Sequence, residues 1–279
     1  MTVLQDLFGK RKVVIAMAHF PPLPGQPLHP IGSDVRDLLH AVQRDVEILA
    51  VSGVDGLLFC NEGDRPYRTK VGPETAAAMA AVITEVARDL PVTFGVDVLW
   101  DPIAAIAVAM ATRARFVREV FTGAYAGDFG IWNTDPATTL SYRRQIGAEG
   151  IRLFFNVNAE FAAPIAPRDP ALQARSAVFS SLADAVCISG VITGTGVDVE
   201  QLRRTKDAVA ETPVIANTGV RAETVRETLS VADGCIVGTA LKRDGVTWNP
   251  VDAERVARFV DAAACSGHWE PTRTREVVS

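Results

Sequence analysis

Short runs rich in Val, Ile and Phe alternate along this chain with longer stretches of helical period. Eight such runs stand out, at 13–18, 54–60, 92–99, 116–120, 151–157, 185–189, 214–217 and 235–237. Runs this apolar suit parallel strands, whose crossover helices bury them on both faces. The segments between them carry helix signals. Asp34 precedes VRDLLHAVQRDVEILAVSG, which Gly53 ends. Pro73-Glu74 and Asp135-Pro136 place proline at a first helical position beside an acid, and Gly147 or Gly150 closes the second of these. Arg221-Ala222-Glu223 opens a short helix, and Val256, Phe259 and Val260 mark the inner face of a last one near 251–264.

Eight strand–helix units with no linker between halves predict an α/β fold, a single (β/α)8 barrel spanning 1–279, with 269–279 as a loose C-terminal tail. The alternative, an open doubly wound sheet, ordinarily has fewer strands and a GxGxxG turn after the first. Here the first strand is followed by HFPPLPGQP. The short apolar set Val3, Leu4, Leu7 and Phe8 is read as covering the barrel bottom. The longest loops, 19–32, 121–134 and 158–169, all follow strands, on the barrel face that hosts active sites.

Composition narrows the function classes. Net charge is −5, and only five of the 28 basic residues are lysine, in no basic block, which argues against a nucleic-acid partner. No run reaches the ~20 apolar residues of a membrane span, and the Ala-rich stretch at 102–112 is too short. No secretory signal is visible. Cys60, Cys187, Cys235 and Cys265 form no CxxC pair, and three lie in apolar runs, as buried thiols of a reducing compartment do. The expected location is cytoplasmic.

The strongest candidate chemistry lies late in the chain. SGVITGTGVD, NTGV and VGTALKRDG follow the sixth, seventh and eighth strands, and glycine-bearing turns there form a phosphate site in many barrels. The candidates are Gly194, Thr195, Gly196, Asn217, Gly219, Gly238, Thr239 and Lys242; the same glycines would also serve as plain tight turns. A second set is polar residues inside apolar strands. VTFGVDVLW puts Val92, Phe94, Val96 and Val98 on one face and Thr93, Gly95 and Asp97 on the other, so Asp97 should point into the barrel. His19, Glu62, Asp97, Glu119 and Asn156 are the candidate catalytic residues of this set, with Asp97 and Glu119 in acid–base roles and His19 orienting a substrate. Glu62, Asp97 and Glu119 are also candidate ligands for a divalent cation such as Mg2+; no motif demands another cofactor. A Schiff-base lysine, GxSxG, HExxH and Walker sequences are all missing.

AMAHFPPLPG, GVDGLLFCNEGDRPY with VGPETAAAMAAVI, FVREVFTGAYAGDFGIW and ADGCIVGTALKRDGVTWNPVDAERVARFV resemble the BtpA/SgcQ family over nearly the whole chain. The resemblance implies a phosphate-binding (β/α)8 barrel without a defined reaction, and carries over onto His19, Asn61, Asp64, Arg118, Gly123, Asp128, Ser189, Gly190, Thr193, Gly194, Gly219, Gly238, Thr239 and Lys242. Departures fall at the mouth. Cys60-Asn61 stands for the family's Glu-Asn, Asp97 to Asp101 for Asn-Val-Leu-Arg-Asn, Asn156 for an Asp and Glu160-Phe161 for Lys-His, and the fourth strand is one residue shorter around Glu119. Two functions follow as expectations. One is an enzyme on a small sugar-phosphate-like metabolite, by isomerase- or lyase-type acid–base chemistry. The other is a non-catalytic assembly or stability factor, betrayed by a large apolar surface patch. A homo-oligomer is expected for either.

Overall fold

The structure, a computed structural model, describes residues 1–190 and 195–272. Helix α1 (Val3–Phe8) begins on Thr2, whose side chain and that of Gln5 form a capping box. Strand β1 (Val13–His19), α2 (Val35–Ala50), β2 (Gly56–Cys60), α3 (Pro73–Val86), β3 (Thr93–Asp97), α4 (Pro102–Thr112) and β4 (Phe116–Glu119) follow. Next come β5 (Gly123–Gly127), β6 (Gly130–Thr134), α5 (Pro136–Gln145), β7 (Arg152–Asn156), β8 (Ala162–Pro164), α6 (Pro170–Ser181) and β9 (Ala185–Ile188). The chain continues through α7 (Val199–Val209), β10 (Val214–Ala216), α8 (Val225–Val231), β11 (Gly234–Val237) and α9 (Ala253–Ala264). Asp34, Asp135 and Asp252 cap α2, α5 and α9 through their side chains, satisfying amides that a helix start leaves without partners.

The barrel is closed and parallel, in the order β1-β2-β3-β4-β7-β9-β10-β11 and back to β1. The expected fold class is thereby shown. Two differences from the sequence reading stand out. The loop at 121–134 contains the hairpin β5–β6, which β8 joins to make a small antiparallel sheet. Its Gly-Ala-Tyr-Ala-Gly strand lacks the β-branched residues that mark a strand in sequence. The seventh barrel helix starts later than expected, with Thr224 as its cap.

Strand period sorts side chains into two layers. Val14, Ala16, Leu57, Phe59, Val96, Val98, Leu153 and Phe155 belong to the layer between barrel and helices. Val13, Ile15, Met17, Leu58, Phe116, Phe154, Cys187, Ile215 and Ile236 fill the interior. Leu4 and Leu7 of α1 plug the interior from below, as expected, and Phe8 lies edge-on to Phe116 with ring centroids 5.8 Å apart. Phe116 stacks on Phe154 at 4.8 Å, and only glycine fits at 95, because a Cβ there would overlap the Phe116 ring.

The chain ends also meet below the barrel. Asp55, just before β2, accepts from Val14 N (2.8 Å), Trp269 Nε1 (2.5 Å), Thr272 Oγ1 (2.6 Å) and Lys10 Nζ (2.5 Å). Trp269 is buried. Trp269 and Thr272, assigned to the tail by sequence, are thus tied to the barrel bottom, with Glu270 and Pro271 exposed between them; 273–279 lie outside the described residues. Among the described residues no helix is long and apolar enough to cross a membrane.

Candidate functional site

The same period that fills the interior with apolar groups turns polar at its upper end. Each strand contributes one inward position there: His19, Cys60, Asp97, Arg118, Asn156, Ser189, Asn217 and Gly238. Six of the eight are polar or charged side chains under the mouth, where barrel active sites are built.

Arg118 organises this ring. Its Nη1 donates to Asp97 Oδ2 at 2.7 Å, its Nε to Asn217 Oδ1 at 2.9 Å, and its Nη2 lies 3.6 Å from Glu160 Oε1. Asn217 Nδ2 donates to Ser189 Oγ (2.7 Å), which donates to Asn156 Oδ1 (3.0 Å). The network crosses the barrel and fixes Arg118, whose charge is reinforced by Asp97 and Glu160 against the opposing effect of burial. Asp97 Oδ1 and Asn156 Nδ2 are buried without a hydrogen-bond partner among the described residues.

Glu119 lies beside Asp97 and is held by backbone amides. Its carboxylate accepts from Trp100 N (2.9 Å) and Val120 N, holding Trp100 at φ 71°, a left-handed backbone that a large residue adopts only when held there. Burial raises both Asp97 and Glu119, and the Asp97 charge raises Glu119 further, while Arg118 opposes the rise at both.

Above the ring lies a cavity of about 210 Å3. One part of its wall comes from the turns after β10 and β11: Asn217, Thr218, Gly219, Arg221, Gly238 and Thr239, with Arg255 from α9. Gly219 has φ 63°, and a Cβ at Gly238 would come within 3.0 Å of the His19 ring. Another part is aromatic: Tyr67, Trp100 and Phe161, backed by Phe129 and Trp132. The acid–base groups are Glu62, Glu160 and His19. Burial and then the Glu160 charge push Glu62 up to about 7, although Tyr67 OH donates to it at 3.1 Å. His19 is pushed well below its ordinary value by burial and by Lys242 and Arg118, so its imidazole is neutral. Burial, with Asp97 and Glu62 nearby, drives the Cys60 thiol up and away from a nucleophilic thiolate.

Of the sequence candidates, His19, Glu62, Arg118, Asn217, Gly219, Gly238 and Thr239 meet in this cavity. Asp97, Asn156 and Glu119 lie buried beneath or beside it. Thr195 stands behind it, its carbonyl accepting from Thr218 Oγ1 at 3.0 Å, and Gly196 packs near Gly219. Lys242 is turned to the far side of His19, its ammonium paired with Asp45 of α2 at 2.9 Å. Gly194 and Thr193 lie outside the described residues. Glu62, Asp97 and Glu119 do not converge: among the described residues no group of three His, Cys, Asp or Glu side chains could hold a metal ion. Tyr67, Trp100, Arg221 and Arg255 were not legible as site residues. Tyr67 carried a signal in its NEGDRPY turn, and Trp100 in the mouth stretch that departs from the family's Asn-Val-Leu-Arg-Asn.

Fold and site together define a parallel (β/α)8 barrel with a polar, aromatic-walled cavity at the carboxyl ends of its strands. The chain belongs to the BtpA family, whose model matches residues 10–265. It is 44% identical to the sgc region protein SgcQ of Escherichia coli K12, covering 94% of this chain and 97% of that protein. It is 27% identical to the photosystem I biogenesis protein BtpA of Synechocystis sp., covering 98% and 96%. Among solved structures, the thiamine phosphate pyrophosphorylase of Pyrococcus furiosus shares the fold, with a TM-score of 0.57 at 14% identity over 92% of this chain and 98% of that one.

Proposed function

We propose that this protein is a cytoplasmic enzyme acting on a small phosphorylated, sugar-phosphate-like metabolite by acid–base chemistry of the isomerase or lyase type. One observation carries the reading. A single cavity joins glycine turns and two arginines, Arg221 and Arg255, to a carboxyl group, Glu62, raised to about 7. The phosphate would sit on Gly219, Gly238 and Thr239, where short backbone approach and arginine charge favour an anion. Binding energy from that end would hold the reacting carbon against Glu62. A carboxyl titrating near neutrality can take a proton and return it. Neutral His19 would hydrogen-bond the substrate oxygen, Arg118 would offset developing negative charge, and the Tyr67, Trp100 and Phe161 rings would keep water out. A divalent cation such as Mg2+ would be carried in by the substrate phosphate, because the described residues form no metal site of their own. The thiamine phosphate enzyme of like fold is named for a phosphorylated compound, which agrees with the reading.

The test is a thermal-shift screen of phosphorylated metabolites and their dephosphorylated forms, with and without Mg2+, on wild type and Arg221→Gln. A ligand at about 100 times its Kd stabilises by about 2.7 kcal/mol. We expect hits confined to phosphorylated compounds and weakened in the variant. Silence from every phosphate would refute the reading.

One surface feature favours a second reading, an assembly factor. Helix α6 exposes Leu172 and Phe179, seven positions apart on one face, and Leu182 follows at its end. The same face would serve the expected homo-oligomer. Sedimentation of wild type and Phe179→Ser separates the cases, since only self-association would be lost in the absence of any other protein.

A further inference from the structure

A second cavity, of about 150 Å3, lies on the other side of His19 and Glu62, which line both. Between the two, Thr239 of the first meets Thr247 of the second, their hydroxyls 2.8 Å apart. Three cations, Arg44, Arg65 and Lys242, line the second cavity beside two carboxyl groups, Asp45 and Glu62. Arg65 lies flat on the Trp248 ring, its guanidinium carbon 3.5 Å from the centroid. Its Nε is buried without a hydrogen-bond partner, and no carboxylate among the described residues pairs with it. Lys242 lines the same space, giving one hydrogen bond to Asp45, and an ammonium carries two further donors. Stacking on an aromatic face leaves a guanidinium's in-plane N–H groups open to an oxyanion.

From this arrangement we propose that the second cavity is an anion subsite, so that the enzyme's substrate carries an anionic group at each of two ends. Its phosphate occupies the cavity of Gly219 and Gly238, and a second phosphate or a carboxylate occupies that of Arg65 and Lys242. The bond or carbon between the two anionic ends then lies at the dividing wall, against Glu62 and His19. This inference rests on the phosphate reading of the first cavity. It explains why Lys242, in the closing VGTALK turn, faces away from the first cavity: it serves the other end of the ligand.

The experiment uses the whole protein and probes of stepped chain length: alkyl monophosphates, α,ω-alkanediol bisphosphates and ω-phosphooxyalkanoates, titrated by calorimetry. The best-matched two-headed ligand should bind roughly tenfold or more tighter than the monophosphate of the same length, as a hydrogen bond to a charged group implies. The bisphosphate and phosphooxyalkanoate arms tell phosphate from carboxylate. Arg65→Gln should remove the gain and leave monophosphate affinity unchanged; Trp248→Leu, which takes away the supporting ring, should reduce it. Arg221→Gln should weaken monophosphates and two-headed ligands alike. Two-headed ligands binding no tighter than monophosphates, or Arg65→Gln weakening both equally, would overturn the inference while sparing the first cavity. If no phosphate binds at all, both readings fall.

Discussion

Burial raises two carboxyl groups at this site, Asp97 and Glu62, but their neighbours differ. Asp97 faces the Arg118 guanidinium, so removing it leaves a cation below the cavity with lost pairing. Asp97→Ala should cost about 3–5 kcal/mol, the usual penalty for breaking a buried pair. Chemical denaturation measures it, and a loss below about 1 kcal/mol would mean that Glu160 and Asn217 suffice for Arg118. Glu62 instead meets Glu160, and burial and that charge hold its proton up to about 7. Between the unfolded value of about 4.3 and 7 the folded state binds a proton that the unfolded chain has released, so stability falls as pH rises through this window. Glu62→Gln removes the dependence. The variant should match wild type below about pH 4 and exceed it near pH 8, by an amount on the order of 4 kcal/mol at most. It should also abolish turnover of whatever substrate the metabolite screen identifies. Parallel Tm profiles of the two proteins across that range would show that Glu62 titrates normally.

At the scale of elements, the interior shows why the fold was legible and the site only partly so. A parallel barrel buries both faces of every strand, so its strands announce themselves as apolar runs, and a polar residue inside one is conspicuous. Asp97 and Asn156 were found in that way, whereas Arg118 came from the family resemblance. Tyr67, Trp100, Arg221 and Arg255 sit on loops and on α9, and only tertiary folding brings them to the cavity; no local period marks them. Lys242 was read as a phosphate ligand from its neighbours in sequence, but the turn after β11 directs it to Asp45. Gly95 belongs to the legible part: it broke an apolar run in β3, and the structure supplies the reason in the Phe116 ring packed over it. Gly95→Ala should therefore destabilise by roughly 1–3 kcal/mol through overpacking. Phe116→Leu added to it should recover part of the loss, the sign of a shared contact in a double-mutant cycle. Strictly additive losses would place the strain elsewhere.

The whole molecule divides its labour between two ends. The carboxyl ends of the strands carry both cavities, the polar ring and the aromatic wall, whereas the amino ends tie residues near the start of the chain to Trp269 and Thr272, a division of roles common to (β/α)8 barrels. Asp55 is the tie. It joins Lys10 near the start of the chain, Val14 at the base of β1, and Trp269 and Thr272 near its end, and the Lys10 ammonium also reaches the Glu270 carbonyl at 2.7 Å. Asp55→Ala deprives four donors of their acceptor, two of them on buried residues, at about 1–3 kcal/mol for each group left unsatisfied without water. The variant should lose about 3 kcal/mol or more in denaturation while binding any phosphate ligand of the mouth with unchanged affinity in its folded state. Asp55→Asn should fall between, because an amide oxygen still serves Val14 or Trp269 but no longer pairs with the Lys10 charge. A fall in ligand affinity that tracks the loss of stability would show that the two ends are energetically coupled through the stacked Phe116 and Phe154 layer, and that the barrel bottom helps to set the geometry of the site.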